Sequence, residues 1–141
     1  MNVLFVCDHN RGRSQMAAAF YNKYSSDGHA DSAGTNVLTP GQTIEQRAAV
    51  SEGSKHLLAT MDEESLDIRH QIQKPIDKHM VNKYDKIVVM AEKKSIPDYV
   101  KTSSKYEYWQ VEDPQSKGPE KTQEVKNIIK RRVQNLIKEK V

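Results

Sequence analysis

The chain has 141 residues, a length typical of one domain with its own hydrophobic core, and we predict a single domain over residues 1–141. Its formal net charge of +3 is mild, so charge alone points to no class of partner. One cysteine excludes an intrachain disulfide and a cysteine-rich metal site.

The sequence shows no targeting or membrane signal. The apolar segment over residues 3–7 is too short for a signal peptide, has no basic leader, and runs directly into Asp8. No segment approaches the length of a membrane span. Since a reactive single thiol suits a reducing compartment, we expect a cytoplasmic protein that does not bind membranes.

The first predicted elements are a strand and a helix, and the loop between them holds the only cysteine. An apolar run over residues 3–7 ends in Cys7, and a helical pattern follows over residues 14–24. Unpaired N–H groups and the helix dipole make such a loop an anion site. Arg13 at the end of the loop favours the thiolate form of the cysteine. The spacing therefore predicts an active site with Cys7 as nucleophile, rather than a small buried hydrophobic residue.

The rest of the chain alternates strands with helices, which predicts a three-layer α/β fold with a parallel sheet. Thr43 and Gln46 have capping-box spacing and should open a helix, which Gly53 should break or bend. The other predicted elements are a strand over 30–33, a loop over 36–42 beside the first loop, a helical stretch with Leu57, Leu58 and Met61 on one face, loop and a short helix over 67–83, a strand over 86–90, a short helix or turn over 96–100, a fourth strand over 105–111 and a last helix over 120–140.

Two groups of residues suggest binding but have simpler explanations. Five histidines, at positions 9, 29, 56, 70 and 79, are not spaced as metal ligands, so we expect no metal and no cofactor. Six basic residues of the last helix should form its solvated side, and without interleaved aromatic residues they do not favour a nucleic-acid partner. These basic residues are Lys126, Lys130, Arg131, Arg132, Lys138 and Lys140.

The segment Val6-Cys7-Asp8-His9-Asn10-Arg11-Gly12-Arg13-Ser14-Gln15-Met16-Ala17 resembles the active-site loop of the low-molecular-weight protein tyrosine phosphatase family. That superfamily also contains the thioredoxin-coupled arsenate reductases. The similarity continues through residues 32–35, residues 84–90 and the pair Asp113-Pro114. It implies a four-stranded, flavodoxin-like arrangement of the parallel sheet over nearly the whole chain.

The resemblance implies a cysteine-dependent phosphomonoesterase that acts through a cysteinyl-phosphate. Cys7 would attack phosphorus, and Arg13 would hold two oxygens with its planar fork. Asp113 would protonate the leaving group and then activate water. The partner would be a phosphorylated protein or a small phosphomonoester.

The other loop residues are expected to surround the bound oxyanion. Ser14 could donate its hydroxyl to the Cys7 sulfur, and it could also be the helix N-cap, since the two roles are compatible. The resemblance implies that Asn10 holds the shape of the loop, the alternative being an ordinary turn residue. The residues expected to bind substrate are Asp8, His9, Asn10, Arg11, Gly12 and Ser14.

Several positions depart from the family pattern. Gly12 replaces a usual cysteine, so a vicinal disulfide with Cys7 is impossible. Arg11 replaces an apolar or small residue and adds positive charge at the mouth of the pocket. Val37, Leu38 and the pair Gln115-Ser116 stand where aromatic walls are usual, which weakens the case for phosphotyrosine as substrate.

Two other functions remain open. A single-cysteine arsenate reductase would need an external thiol such as glutathione, since Met90 and Ile96 lie near the places of the two further cysteines. The Arg-Ser-Gln-Met segment resembles that subgroup. A non-catalytic module that binds phosphate or phosphopeptides is the third reading, and the intact Cys7, Arg13 and Asp113 argue against it.

Overall fold

The computed structural model describes residues 1–139, which form a four-stranded parallel sheet with six α-helices. The strand order is β2-β1-β3-β4, which follows the first four strands of the flavodoxin-like order. The predicted α/β architecture is therefore confirmed. The strands are β1 (Val3–Cys7), β2 (Ala30–Gly34), β3 (Lys86–Val89) and β4 (Tyr106–Tyr108), and the helices are α1 (Arg13–Tyr24), α2 (Ile44–Ala48), α3 (Glu52–Asp62), α4 (Lys78–Lys83), α5 (Asp98–Lys101) and α6 (Pro119–Lys138).

Strand β1 lies inside the sheet and is buried along its whole length. Its side chains alternate between two cores. Val3 and Phe5 pack with residues of α1, α3 and α6, while Leu4 and Val6 pack with residues near α4 and α5. Burial on both faces explains why this strand is a continuous apolar run rather than an alternating one.

The helices α2 and α3 are separated before Gly53, not at it. Helix α2 begins with the predicted capping box, in which Thr43 Oγ1 accepts from the Gln46 N–H at 3.0 Å. Ser51 caps α3 by accepting from the Ser54 N–H at 3.4 Å, so Gly53 falls within the first helical turn. The predicted break at Gly53 was wrong because the serine cap sets the new start.

The fourth strand is shorter than the predicted span over 105–111. Its pairing partner β3 ends at Val89, and the last bond along this edge runs from the Trp109 N–H to the Val89 carbonyl at 2.9 Å. Trp109 and Val111 nevertheless remain in the core. The chain beyond Tyr108 thus keeps its buried side chains but has no strand to pair with.

Helix α6 is amphipathic as predicted, with two exceptions. Ile128 has the spacing of the buried apolar residues of the helix but is exposed. Lys126, expected on the solvated side, is 2% exposed, and its Nζ lies 2.9 Å from Glu64 Oε2. Burial of Lys126 is possible because Glu64 provides a compensating carboxylate. Lys140 lies outside the described residues.

No helix within residues 1–139 is both long and apolar enough to cross a membrane.

Candidate active site

Cys7 lies where β1 ends, and α1 begins six residues later at Arg13, with Gly12 as the N-cap residue. The intervening loop packs against the segment that follows β2. The N–H of Thr35 donates to the Cys7 carbonyl at 2.9 Å, and the N–H of Asn36 donates to the Asp8 carbonyl at 2.7 Å. The expected adjacency of the two loops is confirmed.

Asn10 occupies the centre of the loop and is completely buried. Its φ of 59° is in the left-handed region, which asparagine tolerates better than most residues. Its Nδ2 donates to Ser14 Oγ at 2.8 Å, and its Oδ1 accepts from the Lys74 N–H at 2.8 Å. The Asn10 side chain therefore ties the loop to α1 and to the chain before β3.

Ser14 contacts the cysteine directly, because its Oγ lies 3.0 Å from Cys7 Sγ. Since Ser14 Oγ already accepts from Asn10, its own proton is free to point at the sulfur. Ser14 is not the helix N-cap, which is Gly12, so that prediction was wrong. Of the two roles predicted for Ser14, the structure retains the hydrogen bond to sulfur.

Arg13 is held by backbone carbonyls from two distant parts of the chain. Its Nη1 donates to the carbonyls of Met90 at 2.7 Å and Val111 at 2.9 Å, and its Nη2 donates to Asp8 Oδ2 at 3.0 Å. Within residues 1–139, its Nε–H and second Nη2–H have no partner. Nε and Nη2 share one edge of the guanidinium group, and a pair of donors on such an edge can bind two oxygens of an oxyanion.

The Asp8 carboxylate makes hydrogen bonds within the protein. Besides Arg13, its carboxylate accepts from the Ser95 hydroxyl at 3.2 Å and from the Glu92 N–H at 3.2 Å. The Asp8 side chain does not line the pocket above Cys7. It therefore orients Arg13 rather than facing the space where a ligand would bind.

Asp113 follows β4 and lies at the side of the same pocket. Its Oδ1 accepts from the Gln115 N–H at 3.0 Å, and its Oδ2 lies 3.9 Å from Arg13 Nη2. Half of the side chain is exposed, so the second oxygen can reach a bound molecule or water. The fold thus brings together three residues, Cys7, Arg13 and Asp113, that are far apart in the sequence.

The pocket has a volume of about 210 Å³. Of the residues predicted to bind substrate, His9, Arg11 and Gly12 line it, whereas the side chains of Asp8, Asn10 and Ser14 do not. The described lining contains no Phe, Tyr or Trp. The full lining is Cys7, His9, Arg11, Gly12, Arg13, Met16, Leu38, Arg47, Gly53, Leu57, Asp113, Pro114, Gln115 and Thr122.

Arg47 is a lining residue that the sequence did not reveal. It lies on α2, and its charge together with burial lowers the pKa of Arg11, with burial the larger effect. The capping box located the helix but gave no indication that one of its polar residues lines the same pocket as Cys7. His9 is fixed at the rim, where its Nδ1 donates to the Asn36 carbonyl at 2.7 Å.

No group of three or more His, Cys, Asp or Glu side chains within residues 1–139 is arranged to hold a metal ion. The side chains that line the pocket include three guanidinium groups, those of Arg11, Arg13 and Arg47.

Comparison with known proteins gives one family and two kinds of enzyme. The family described as low molecular weight phosphotyrosine protein phosphatase matches residues 2–141. The glutaredoxin arsenate reductase of Synechocystis sp. is 29% identical over 138 residues, which are 96% of this chain and 95% of that protein.

The similar solved structures also include both an arsenate reductase and a phosphatase. An arsenate reductase in the phosphate binding state is 28% identical, with a TM-score of 0.79 over 98% of this chain and 97% of the other. A low molecular weight protein tyrosine phosphatase from T. tengcongensis is 24% identical, with a TM-score of 0.82 over 99% of both chains. At that identity the phosphatase shares the fold, and the similarity carries no statement about substrate.

Proposed function

Because this chain belongs to the low molecular weight phosphotyrosine protein phosphatase family, we propose that it hydrolyses phosphomonoesters through a covalent intermediate on Cys7. One relationship supports the proposal most strongly. The nucleophile, the guanidinium fork of Arg13 and the carboxyl group of Asp113 line a single pocket, with Asp113 Oδ2 3.9 Å from Arg13 Nη2.

The first step forms a sulfur–phosphorus bond and breaks the bond from phosphorus to the ester oxygen. The Cys7 thiolate supplies the electron pair, and Asp113 gives a proton to the departing oxygen. Arg13 and the N–H groups of the loop bind the three equatorial oxygens as their charge builds up. The Ser14 hydroxyl stabilises the thiolate before the attack.

The second step releases phosphate and restores the enzyme. Water attacks phosphorus, the sulfur–phosphorus bond breaks, and the Asp113 carboxylate takes a proton from that water. The Ser14 hydrogen bond to sulfur now stabilises Cys7 as the leaving group. Neither step requires a metal or a redox partner.

The walls of the pocket favour a phosphoester without a phenyl ring. Leu38, Leu57 and Gln115 line the pocket, and the described lining has no aromatic side chain on which a phenyl ring could stack. We therefore propose a phosphorylated protein or a small phosphomonoester as substrate, with phosphotyrosine the less favoured case. A reactive lone thiol suits the reducing cytoplasm, which is where we place this activity.

Arsenate reduction is the second candidate, and the two relatives at 28–29% identity favour it. Here the Cys7 thiolate would attack arsenic and displace hydroxide as water. An external thiol would then attack the sulfur of Cys7, releasing arsenite and leaving a mixed disulfide. A second external thiol would reduce that disulfide, so two thiols supply the two electrons that reduce As(V) to As(III).

One comparison separates the candidates. Purified protein is assayed for phosphate release from p-nitrophenyl phosphate and from an alkyl phosphate, and for arsenite formation from arsenate with glutathione. Phosphate release without arsenite supports the phosphatase, and glutathione-dependent arsenite supports the reductase. Cys7→Ser should abolish either activity, because a serine hydroxyl without an adjacent base is hardly ionised.

The third class, a binding module, has its own outcome. If neither product forms while phosphate binds to the wild-type protein, the catalytic proposals fail and oxyanion binding remains. Circular dichroism of the Cys7→Ser variant checks that its loss of activity does not come from unfolding.

A further inference from the structure

Two arginine side chains face the pocket in addition to Arg13, and neither has a carboxylate partner within residues 1–139. Arg11 comes from the loop and Arg47 from α2. Their charges repel each other, and the repulsion is felt at Arg11. Two unneutralised guanidinium groups in one small pocket cost stability unless an anion joins them.

Arg11 is fixed in position by neutral groups only. Its Nε donates to Gln73 Oε1 at 2.8 Å, and its Nη2 donates to Thr39 Oγ1 at 3.0 Å. Gln73 is completely buried and is itself held by Gln42, whose Oε1 accepts from Gln73 Nε2 at 2.9 Å. The guanidinium is therefore preorganised while its positive charge remains uncompensated.

Arg47 is not fixed by any hydrogen bond from its side chain within the described residues. Its Nε is buried and has no partner. An unsatisfied buried donor typically costs about 1–3 kcal/mol. Arg47 lines the pocket, and no described residue accepts a hydrogen bond from its guanidinium group.

Arg13 differs from this pair in its charge environment. Asp8 lies 3.0 Å from its Nη2 and Asp113 lies 3.9 Å from the same nitrogen. The Asp8 carboxylate therefore compensates the charge of Arg13 whether Asp113 is protonated or not. The excess positive charge of the pocket therefore resides at Arg11 and Arg47, beside the place where the first oxyanion would bind.

We propose that Arg11 and Arg47 form a second anion subsite, so that the preferred substrate carries a second phosphate or carboxylate group besides the one above Cys7. This inference rests on the proposed function, which places the first oxyanion above Cys7. The second group accepts hydrogen bonds from the Arg47 guanidinium and relieves the repulsion between the two guanidinium groups. Neutral alkyl or aryl tails gain neither benefit.

The test measures binding with non-hydrolysable ligands, so it does not depend on turnover. Methane, ethane and propane diphosphonates are titrated calorimetrically, each against the monophosphonate of equal chain length. At least one diphosphonate should bind tenfold or more tightly than its partner, since charge-assisted hydrogen bonds are gained, each worth roughly tenfold or more. Ratios within about twofold across the whole series would overturn the second subsite.

Three variants identify the groups responsible. Arg47→Gln should remove most of the diphosphonate advantage, Arg47→Lys should restore part of it, and Arg11→Gln should also reduce it. Arg131→Gln makes the same charge change on the exposed side of α6 and should leave the advantage intact. An equal loss in Arg131→Gln, or no loss in Arg47→Gln, would overturn the assignment.

Failure here is distinguishable from failure of the proposed function. Turnover of simple phosphomonoesters without a diphosphonate advantage would support the phosphatase proposal and reject the second subsite. A preference for diphosphonates without any phosphate release would support the second subsite and reject the phosphatase proposal.

Discussion

The hydroxyl of Ser14 lies 3.0 Å from the sulfur of Cys7 and accepts a hydrogen bond from the Asn10 amide at 2.8 Å. The asparagine therefore sets the direction in which the serine proton points. A buried chain of two hydrogen bonds thus leads from the left-handed centre of the loop to the nucleophile.

Ser14→Ala should lower both the reactivity of Cys7 and the stability of the loop. Because a hydrogen bond to a charged group is worth about 1.5–3 kcal/mol, phosphate release should slow roughly 10- to 100-fold. Alkylation of Cys7 by iodoacetamide at neutral pH should slow as well, because less thiolate is stabilised. Unchanged alkylation would mean that the serine only supports Asn10.

Arg13→Lys should reduce activity and stability together. Lysine has no planar fork for two oxygens, and loss of a transition-state donor typically costs about 10²–10³-fold in rate. The carbonyls of Met90 and Val111 would also lose their donor, each loss costing about 1 kcal/mol. Steady-state kinetics and urea unfolding measure the two effects, with Arg131→Lys as the exposed control. Full activity in Arg13→Lys would place the arginine outside the reaction.

Asp113→Asn should separate poor leaving groups from good ones. The amide oxygen can still accept from the Gln115 N–H, so the turn is preserved while the acid is lost. An alkyl phosphate should slow by about 10²–10⁴-fold, and p-nitrophenyl phosphate far less in the first step, since a stable phenolate leaves without a proton. A product burst equal to the enzyme concentration would reveal the cysteinyl-phosphate.

The control for Asp113 is its neighbour Glu112, which pairs with Lys117 and does not line the pocket. Glu112→Gln makes the same change of charge one residue away. If Asp113→Asn slowed both substrates equally and gave no burst, Asp113 would be a turn residue and not an acid.

Gly34→Ala, at the end of β2, should displace the neighbouring loop between β1 and α1. A Cβ at position 34 would lie 2.7 Å from the Asp8 carbonyl oxygen and 3.0 Å from the Asn10 nitrogen, both backbone atoms. Overpacking of this kind typically costs about 1–3 kcal/mol, and phosphate release should fall because the loop must shift. Gly53→Ala is the matched comparison, since it meets only the flexible end of Gln115. Equal stability in the two variants would contradict the predicted clash.

Glu64→Gln should destabilise the protein through a residue that does not line the pocket. Glu64 accepts from Lys126 at 2.9 Å and from Lys130 at 2.8 Å, and these hydrogen bonds lower the pKa of Glu64. Removing the charge leaves the ammonium of Lys126 buried, at a cost of about 3 kcal/mol in free energy of unfolding. Lys126→Met should cost less, because it removes the buried charge and leaves Glu64 bound to Lys130.

The same pair predicts a pH dependence of stability. Because the folded protein lowers the pKa of Glu64 below its ordinary value of 4.5, the stabilisation is complete above that value. It is lost as the pH falls through the lowered pKa. Denaturant unfolding at several pH values should show a smaller acid-dependent loss in Glu64→Gln than in the wild-type protein. Parallel curves would show that Glu64 does not contribute to this loss.

The sequence predicted the sheet and the loop because both depend on local patterns. An apolar run buried on both faces, a lone cysteine and an arginine six residues on need no knowledge of distant residues. The family resemblance was confirmed over residues 2–141. The four-stranded parallel arrangement followed from that resemblance and from the alternation of strands with helices.

What the sequence did not reveal depends on packing between distant elements. Arg47 looked like any exposed helical arginine, since nothing in the sequence around it indicates that it lines the pocket. Lys126 looked solvated because its partner Glu64 is 62 residues away. The break between α2 and α3 was predicted at Gly53, but Ser51 is the N-cap of α3 and Gly53 lies within the helix. Charge partners and helix orientation are set by tertiary contacts, which composition and spacing do not record.

The two carbonyl groups that hold Arg13 come from residues 77 and 98 positions further along the chain. The guanidinium therefore acquires its final orientation only after β3 and the segment beyond β4 have joined the sheet. Contacts of such high sequence separation form late in folding, because closing long loops costs chain entropy first. A partly synthesised or partly unfolded chain would carry both Cys7 and Arg13 and still lack a working oxyanion site. The proposed activity should therefore require the completely folded chain, and its loss on denaturation should coincide with global unfolding.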